Sequence, residues 1–144
     1  MNDTLPGYTV LDGPPTIPDY LTLRREAGMS RKTEEQTAAG IGGAWAAIHD
    51  ESGDTVGMGR VIGDGGWYFH VIDTAVLPPH QGRGIGSAVL RALLDRIHRD
   101  APPGAYVSLM ADEPGRPLYE RHGFADPAPR TIGMSLSMDR GAHD

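Results

Sequence analysis

The segment Gln81-Gly82-Arg83-Gly84-Ile85-Gly86-Ser87 places three glycines, a glutamine and an arginine between a long apolar run and a helix-periodic stretch. A helix that begins here presents unpaired backbone N–H groups and the positive end of its dipole. Glycines without a Cβ let a phosphate approach those N–H groups, and Arg83 can add a charge-assisted contact. The spacing excludes two other phosphate loops. A Walker loop ends in Gly-Lys-Ser/Thr, which is missing here. A dinucleotide fingerprint runs G-x-G-x-x-G, whereas Gly82, Gly84 and Gly86 alternate.

Other residues could move protons. His70 lies in the apolar run Trp67–Leu77, and an imidazole of ordinary pKa ~6.5 accepts a proton near neutrality. The alternative is a core histidine bonded to backbone. Simple alternation puts His70 on one strand face with Ile72, Thr74 and Val76, and Asp73 on the other face unless the strand bulges. A buried carboxylate needs a partner, and a salt bridge from Asp73 to Arg60 or Arg24 supplies one. Asp64, among glycines, reads as a turn residue. His49, His98, His122 and His143 read as surface or helix-end residues, and no two histidines have metal spacing with a third ligand, so no metal is expected. Met58, Met110, Met134 and Met138 sit in strand-like runs and read as core.

The elements that must position these groups follow from periodicity and punctuation. Gly7–Leu11 predicts a first strand. A helix opens at Pro18-Asp19 and stops at Ala27-Gly28, and Ser30 or Thr33 caps a second short helix. Ala44–His49 and Thr55–Ile62 form a hairpin. Trp67–Leu77, near-continuously apolar, predicts a central strand buried on both faces. Ile85, Ala88, Val89, Ala92, Leu93 and Ile97 recur at helical spacing. Ala105–Ala111 predicts another buried strand, and Arg116–His122 a short helix closed by Gly123. Phe124–Asp126 and Thr131–Met138 are expected to close the chain as a strand pair. The order β-α-α-β-β-β-α-β-α-β-β is a mixed α/β fold, and its strand–helix–strand unit calls for a right-handed parallel crossover.

Composition bounds the answer. The 144 residues suit one domain, taken as 1–144. There is no Cys, which removes disulfide scaffolds and thiol catalysis and fits a reducing cytoplasm. The opening Met1–Tyr8 lacks the pattern of a signal peptide, and no apolar stretch reaches the ~20 residues of a membrane span. A net charge of −6 with no basic patch argues against nucleic acid and leans weakly toward cationic substrates.

Gln81-Gly82-Arg83-Gly84-Ile85-Gly86 resembles the Q/R-x-x-G-x-G/A signature of the GNAT N-acetyltransferase superfamily. Asp73-Thr74-Ala75-Val76-Leu77-Pro78 looks like the end of that family's fourth strand, and Leu118-Tyr119-Glu120-Arg121-His122-Gly123-Phe124 resembles its LYxxxGF segment. The resemblance covers nearly the whole chain. It implies a mainly antiparallel sheet whose parallel fourth and fifth strands splay apart, and transfer from acetyl-CoA to a primary amine by direct attack. The pyrophosphate would meet Gly82, Arg83, Gly84, Ile85, Gly86 and Ser87. The pantetheine arm would pair with Thr74, Ala75 and Val76, with an N–H near Val76 polarising the thioester carbonyl. Tyr119 matches the general acid for the departing thiolate. His70 falls where several members carry a base, with Asp73 or water as alternatives. The acceptor, a small-molecule or protein amine, is left open, as are a homodimer, a longer acyl chain and a non-catalytic acyl-CoA-binding module.

Overall fold

The computed structural model describes residues 5–138; the polar opening Met1–Thr4 and His143 lie outside it. The chain divides into two compact units, 1–109 and 110–144.

In the first unit five strands form one sheet in the order β1-β2-β3-β4-β5. They are β1 (Tyr8–Asp12), β2 (Ala44–Asp50), β3 (Thr55–Gly63), β4 (Tyr68–Val76) and β5 (Tyr106–Leu109). The first four pair antiparallel, and β4 pairs with β5 parallel. The helices are α1 (Ile17–Glu26), α2 (Glu34–Gly40) and the 16-residue α3 (Ile85–Asp100). Thr16 caps α1 by accepting from the Asp19 N–H at 3.2 Å. Thr33 and Gln36 close a reciprocal capping box on α2, with both bonds within 3.0 Å.

The sheet has a core on each face. Tyr20 and Leu23 of α1 pack with Trp45, Met58 and Ala75 on one. On the other, α3 buries Ile85, Ala88, Val89, Leu93 and Ile97. This helix rides unusually close to β3. A Cβ built on Gly57 would lie 2.6 Å from Ile85 Cγ2, and one on Gly59 would lie 2.4 Å from Val89 Cγ1. Both glycines are therefore set by the approach of α3 rather than by any turn.

In the second unit Arg116–Arg121 forms α4, followed by Gly123 at a φ of 93° as the residue beyond its cap. The expected closing strands do not form over 124–126 and 131–138. Pro127 and Pro129 sit between them and supply no N–H for a ladder. Ile132, Met134, Leu136 and Met138 are all exposed, so the core expectation fails for Met134 and Met138, and for Met110 as well. Met58 is fully buried, as expected. The central strand also differs from expectation: along β4 buried residues alternate with Tyr68, His70 and Ile72, so only one face is covered over its first half.

Candidate active site

Of the Gly-rich segment, Gln81, Gly82, Arg83 and Gly84 precede α3, and Ile85, Gly86 and Ser87 open it. Gly82 and Gly84 hold φ of 78° and 85°, left-handed backbone that favours glycine. Gly84 is the N-cap of α3 and makes no side-chain cap bond. Among the described residues a Cβ at Gly82 would meet no atom within 4 Å, and one at Gly84 only Leu5 Cδ2 at 3.6 Å. The loop is thus open, among the described residues, on the side where a Cβ would project from these two glycines. Gln81 pins it to the sheet, donating from Nε2 to the Val76 carbonyl at 3.0 Å. Arg83 donates to the Tyr8 hydroxyl at 3.1 Å, and that hydroxyl lies 2.7 Å from His80 Nδ1.

Beside this loop the β4–β5 ladder stops. Its pairs run from Tyr68↔Tyr106 to Val71↔Leu109 and go no further. β4 continues to Val76, bonded to β3 on its other edge. Among the described residues the stretch Ile72–Val76, which includes Thr74, Ala75 and Val76, therefore has a strand partner on one side only. Such an edge accepts an extended amide chain as an added strand. An acyl-pantetheine arm carries amides of this kind, and a pyrophosphate suits the open glycine loop, so the residues fit acetyl-CoA.

The same stretch carries a β-bulge. Register passes from Met58↔Ala75 to Arg60↔Ile72, leaving Asp73 and Thr74 opposite Gly59. Asp73 is the non-glycine residue with positive φ, 60°, among the described residues. The bulge changes which side chains share a face. His70 and Ile72 lie on the α1 face with Ala75. Thr74 turns toward α3, and its hydroxyl is buried without a hydrogen-bond partner among the described residues. Simple alternation had grouped His70 with Thr74 and Val76, and the bulge overturns that grouping.

Asp73, 3% exposed, is held from both sides. Arg24 Nη1 donates to Oδ1 at 2.7 Å. Arg60 donates from Nε and Nη2 to Oδ2 at 3.0 and 2.6 Å. Arg24 also binds the Ser30 carbonyl and hydroxyl. Arg60 reaches the Gly40 and Gly42 carbonyls and stacks over Trp45 at 4.9 Å. The salt bridge expected for Asp73 thus involves both arginines. Tyr20 sits against this cluster, and its phenol is pushed above the usual 10.0 by burial and then by the Asp73 charge.

His70 is half-buried and faces β5. Its Nδ1 is 2.9 Å from Ser108 Oγ, which also lies 3.1 Å from the Tyr68 hydroxyl and 3.4 Å from the Phe69 carbonyl. When Ser108 donates to Tyr68 or to Phe69, it accepts from Nδ1–H. That tautomer leaves Nε2 as the proton acceptor. Neither Ser108 nor Tyr68 stands out in the sequence, because their meeting depends on parallel register two elements apart.

Asp64 is a turn residue, as expected. It accepts from the N–H groups of Gly66, Trp67 and Tyr68, which hold its carboxyl below the usual 3.8. In the second unit Tyr119 lies half-buried on α4, edge-on to Phe124 at 6.1 Å. Gly115 makes room for it, since a Cβ there would lie 3.1 Å from the Tyr119 ring. Two clefts flank the sheet of the first unit. The larger, about 640 Å³, lies at the C-terminal end of α3 and holds His98 as its one titratable side chain. It offers no base beside an acyl site. The smaller, about 400 Å³, lies against Arg24, Arg60, Ile72 and Asp73. Among the described residues no three His, Cys, Asp or Glu side chains are grouped to hold a metal, and no helix is long and apolar enough to cross a membrane.

Residues 41–126 match the acetyltransferase (GNAT) domain family. A probable acetyltransferase of methicillin-resistant Staphylococcus aureus, a protein of unknown function, is 38% identical with a TM-score of 0.85, over 90% of this chain and 98% of that one. Two further structures share the fold. Arabidopsis thaliana glucosamine-6-phosphate N-acetyltransferase has 20% identity and a TM-score of 0.66, over 91% of this chain and 99% of its own. The Escherichia coli ribosomal-protein-S18-alanine N-acetyltransferase has 20% and 0.71, over 84% and 79%. No curated protein matches the chain. The family match and the 38%-identical structure make the chain an acetyltransferase. The chain belongs to the GNAT superfamily of N-acetyltransferases.

Proposed function

We propose that this acetyltransferase moves an acetyl group from acetyl-CoA to a primary amine by direct attack in a ternary complex. The observation that carries the reading is the coincidence of three features within one strand. The free edge at Ile72–Val76 begins where the β4–β5 ladder ends, it adjoins the open glycine loop, and His70 stands on the last paired stretch before it.

Each residue has a task. The N–H groups at Gly82 to Ser87 hold the pyrophosphate, with Arg83 beside them. Thr74, Ala75 and Val76 pair with the pantetheine amides through backbone, which is why the inward turn of the Thr74 side chain is no obstacle. An N–H near Val76 polarises the thioester carbonyl. His70, with Nδ1 engaged by Ser108, takes the ammonium proton at Nε2 and frees the nitrogen lone pair. Tyr119 protonates the departing thiolate; thiol and phenol pKa values of ~8.5 and ~10 make that transfer nearly balanced. Asp73, the other candidate base, has both carboxylate oxygens committed to arginines, which favours His70. The units at 1–109 and 110–144 then act as one acetyltransferase domain, in the cytoplasm, as a monomer or a homodimer, without nucleic acid, membrane or metal.

The test is the pH dependence of kcat/KM for the protein and its His70→Gln variant on two amines of different pKa. The reading expects an acidic limb that is the same for both amines and disappears in the variant. Limbs that follow each amine's own pKa and ignore the mutation would remove His70 from the proton path.

A further inference from the structure

Two residues beside the glycine loop belong to no part of its motif, Tyr8 and His80. Tyr8 opens β1, at the edge of the sheet. The chain around it reaches the loop at two places. Leu5 Cδ2 lies 3.6 Å from where a Cβ on Gly84 would stand, and the Tyr8 hydroxyl meets Arg83 Nη1 at 3.1 Å. His80 closes the tight turn Pro78–His80, with its N–H bonded to the Leu77 carbonyl at 2.9 Å. Two prolines fix the φ angles ahead of it, so the imidazole stands on rigid backbone. Its Nδ1 is 2.7 Å from the Tyr8 hydroxyl, and the two rings meet edge-on at 5.6 Å.

The direction of each bond follows from what the groups can do. A guanidinium only donates, so the Tyr8 oxygen accepts from Arg83. Among the described residues the phenolic proton has one acceptor, His80 Nδ1. The imidazole then carries its proton on Nε2. A hydroxyl that donates becomes a better acceptor, so the two bonds strengthen each other. Arg83 is exposed, and a long exposed side chain left to itself samples many rotamers. Tyr8 is its one hydrogen-bond partner among the described residues, and the other guanidinium N–H groups remain for an anion.

We propose that Tyr8 and His80 are positioning residues for the cofactor. The relay from Arg83 through Tyr8 to His80 holds the guanidinium at the glycine loop, so that an edge-strand residue 75 positions earlier in the chain sets the affinity for the pyrophosphate. The proposal rests on the acetyl-CoA reading of that loop. Both residues act on the cofactor through Arg83, which makes their effect separable from packing.

The test is a double-mutant cycle on the full chain, read by calorimetry of acetyl-CoA binding. Tyr8→Phe keeps the ring against His80 and removes the hydroxyl; affinity should fall by about 5- to 10-fold, the worth of one hydrogen bond. In an Arg83→Ala background the same substitution should change affinity by less than about 2-fold. At His80, Asn keeps an acceptor where Nδ1 stands and Leu, of similar size, does not, so His80→Asn should bind acetyl-CoA more tightly than His80→Leu. The KM for acetyl-pantetheine, which lacks the pyrophosphate, should not respond to Tyr8→Phe. Unchanged affinity in Tyr8→Phe, an equal fall with and without Arg83, equal binding by the two His80 variants, or a matching rise in the acetyl-pantetheine KM would each overturn the relay. A wild type that binds acetyl-CoA but shows no coupling removes the relay alone. A folded wild type that binds no acetyl-CoA removes the cofactor reading, and the relay with it.

Discussion

Replacing Asp73 by Asn removes one charge and almost no volume. Asn tolerates positive φ as Asp does, so the bulge keeps its backbone and the perturbation is electrostatic. In the wild type both carboxylate oxygens are occupied, at 2.7 Å by Arg24 and 2.6 Å by Arg60. The amide retains one acceptor oxygen and presents N–H groups to a guanidinium that is itself only a donor. Two buried cations then face each other without a counter-charge. Breaking a buried ion pair by removing one partner costs about 3–5 kcal/mol. The low exposure of all three side chains means that solvent does not discount this figure. For a chain of this length each kcal/mol lowers Tm by about 3 °C, giving a fall of roughly 10–15 °C. Thermal unfolding followed by circular dichroism reads the shift directly. A variant melting within about 2 °C of wild type would show that the arginines find water or other partners and that Asp73 does not hold β4 to α1.

Tyr119→Phe keeps the ring against Phe124 and removes the hydroxyl; kcat should fall by ~10–10³-fold with acetyl-CoA affinity nearly unchanged, as measured by CoA release and calorimetry. Asp64 has a carboxyl pKa lowered in the fold, so its contribution is present above about 3.8 and is lost as pH falls through the folded value. Asp64→Asn should therefore flatten the acid side of the stability–pH curve, and an unchanged acid limb in denaturant titrations would contradict the turn assignment. Ser108→Ala frees the Nδ1 of His70; kcat should drop while Ser108→Thr restores it, and equal loss in both variants would point to packing instead.

Much of the architecture is legible in local pattern. The helical spacing of Ile85 to Ile97, the turn at Asp50 to Asp54 and the glycine beyond α4 are set by residues close in sequence, and each stands as expected. The loop is legible for the same reason, since Gly82 and Gly84 owe their positive φ to the turn they make. What local pattern misses is long-range. Gly57 and Gly59 answer to α3, the bulge at Asp73 answers to arginines 49 and 13 residues away, and Ser108 meets His70 only through the parallel register of β5. The alternating Ile132, Met134, Leu136 and Met138 look like a strand because period two is what a strand would show, yet they are exposed and unpaired with any strand among the described residues. Alternation states a propensity, and a strand needs an edge to bond to.

The most direct test of the central claim is calorimetric titration of acetyl-CoA into the wild type and into Gly84→Val. Gly84 sits at a φ of 85°, which a β-branched residue does not readily adopt, and its side chain would intrude on the open face of the loop. Saturable one-to-one binding to the wild type, lost or weakened by at least about 100-fold in a variant that still unfolds cooperatively, is the result expected if this loop holds the pyrophosphate. Equal affinity in a folded Gly84→Val protein would contradict it.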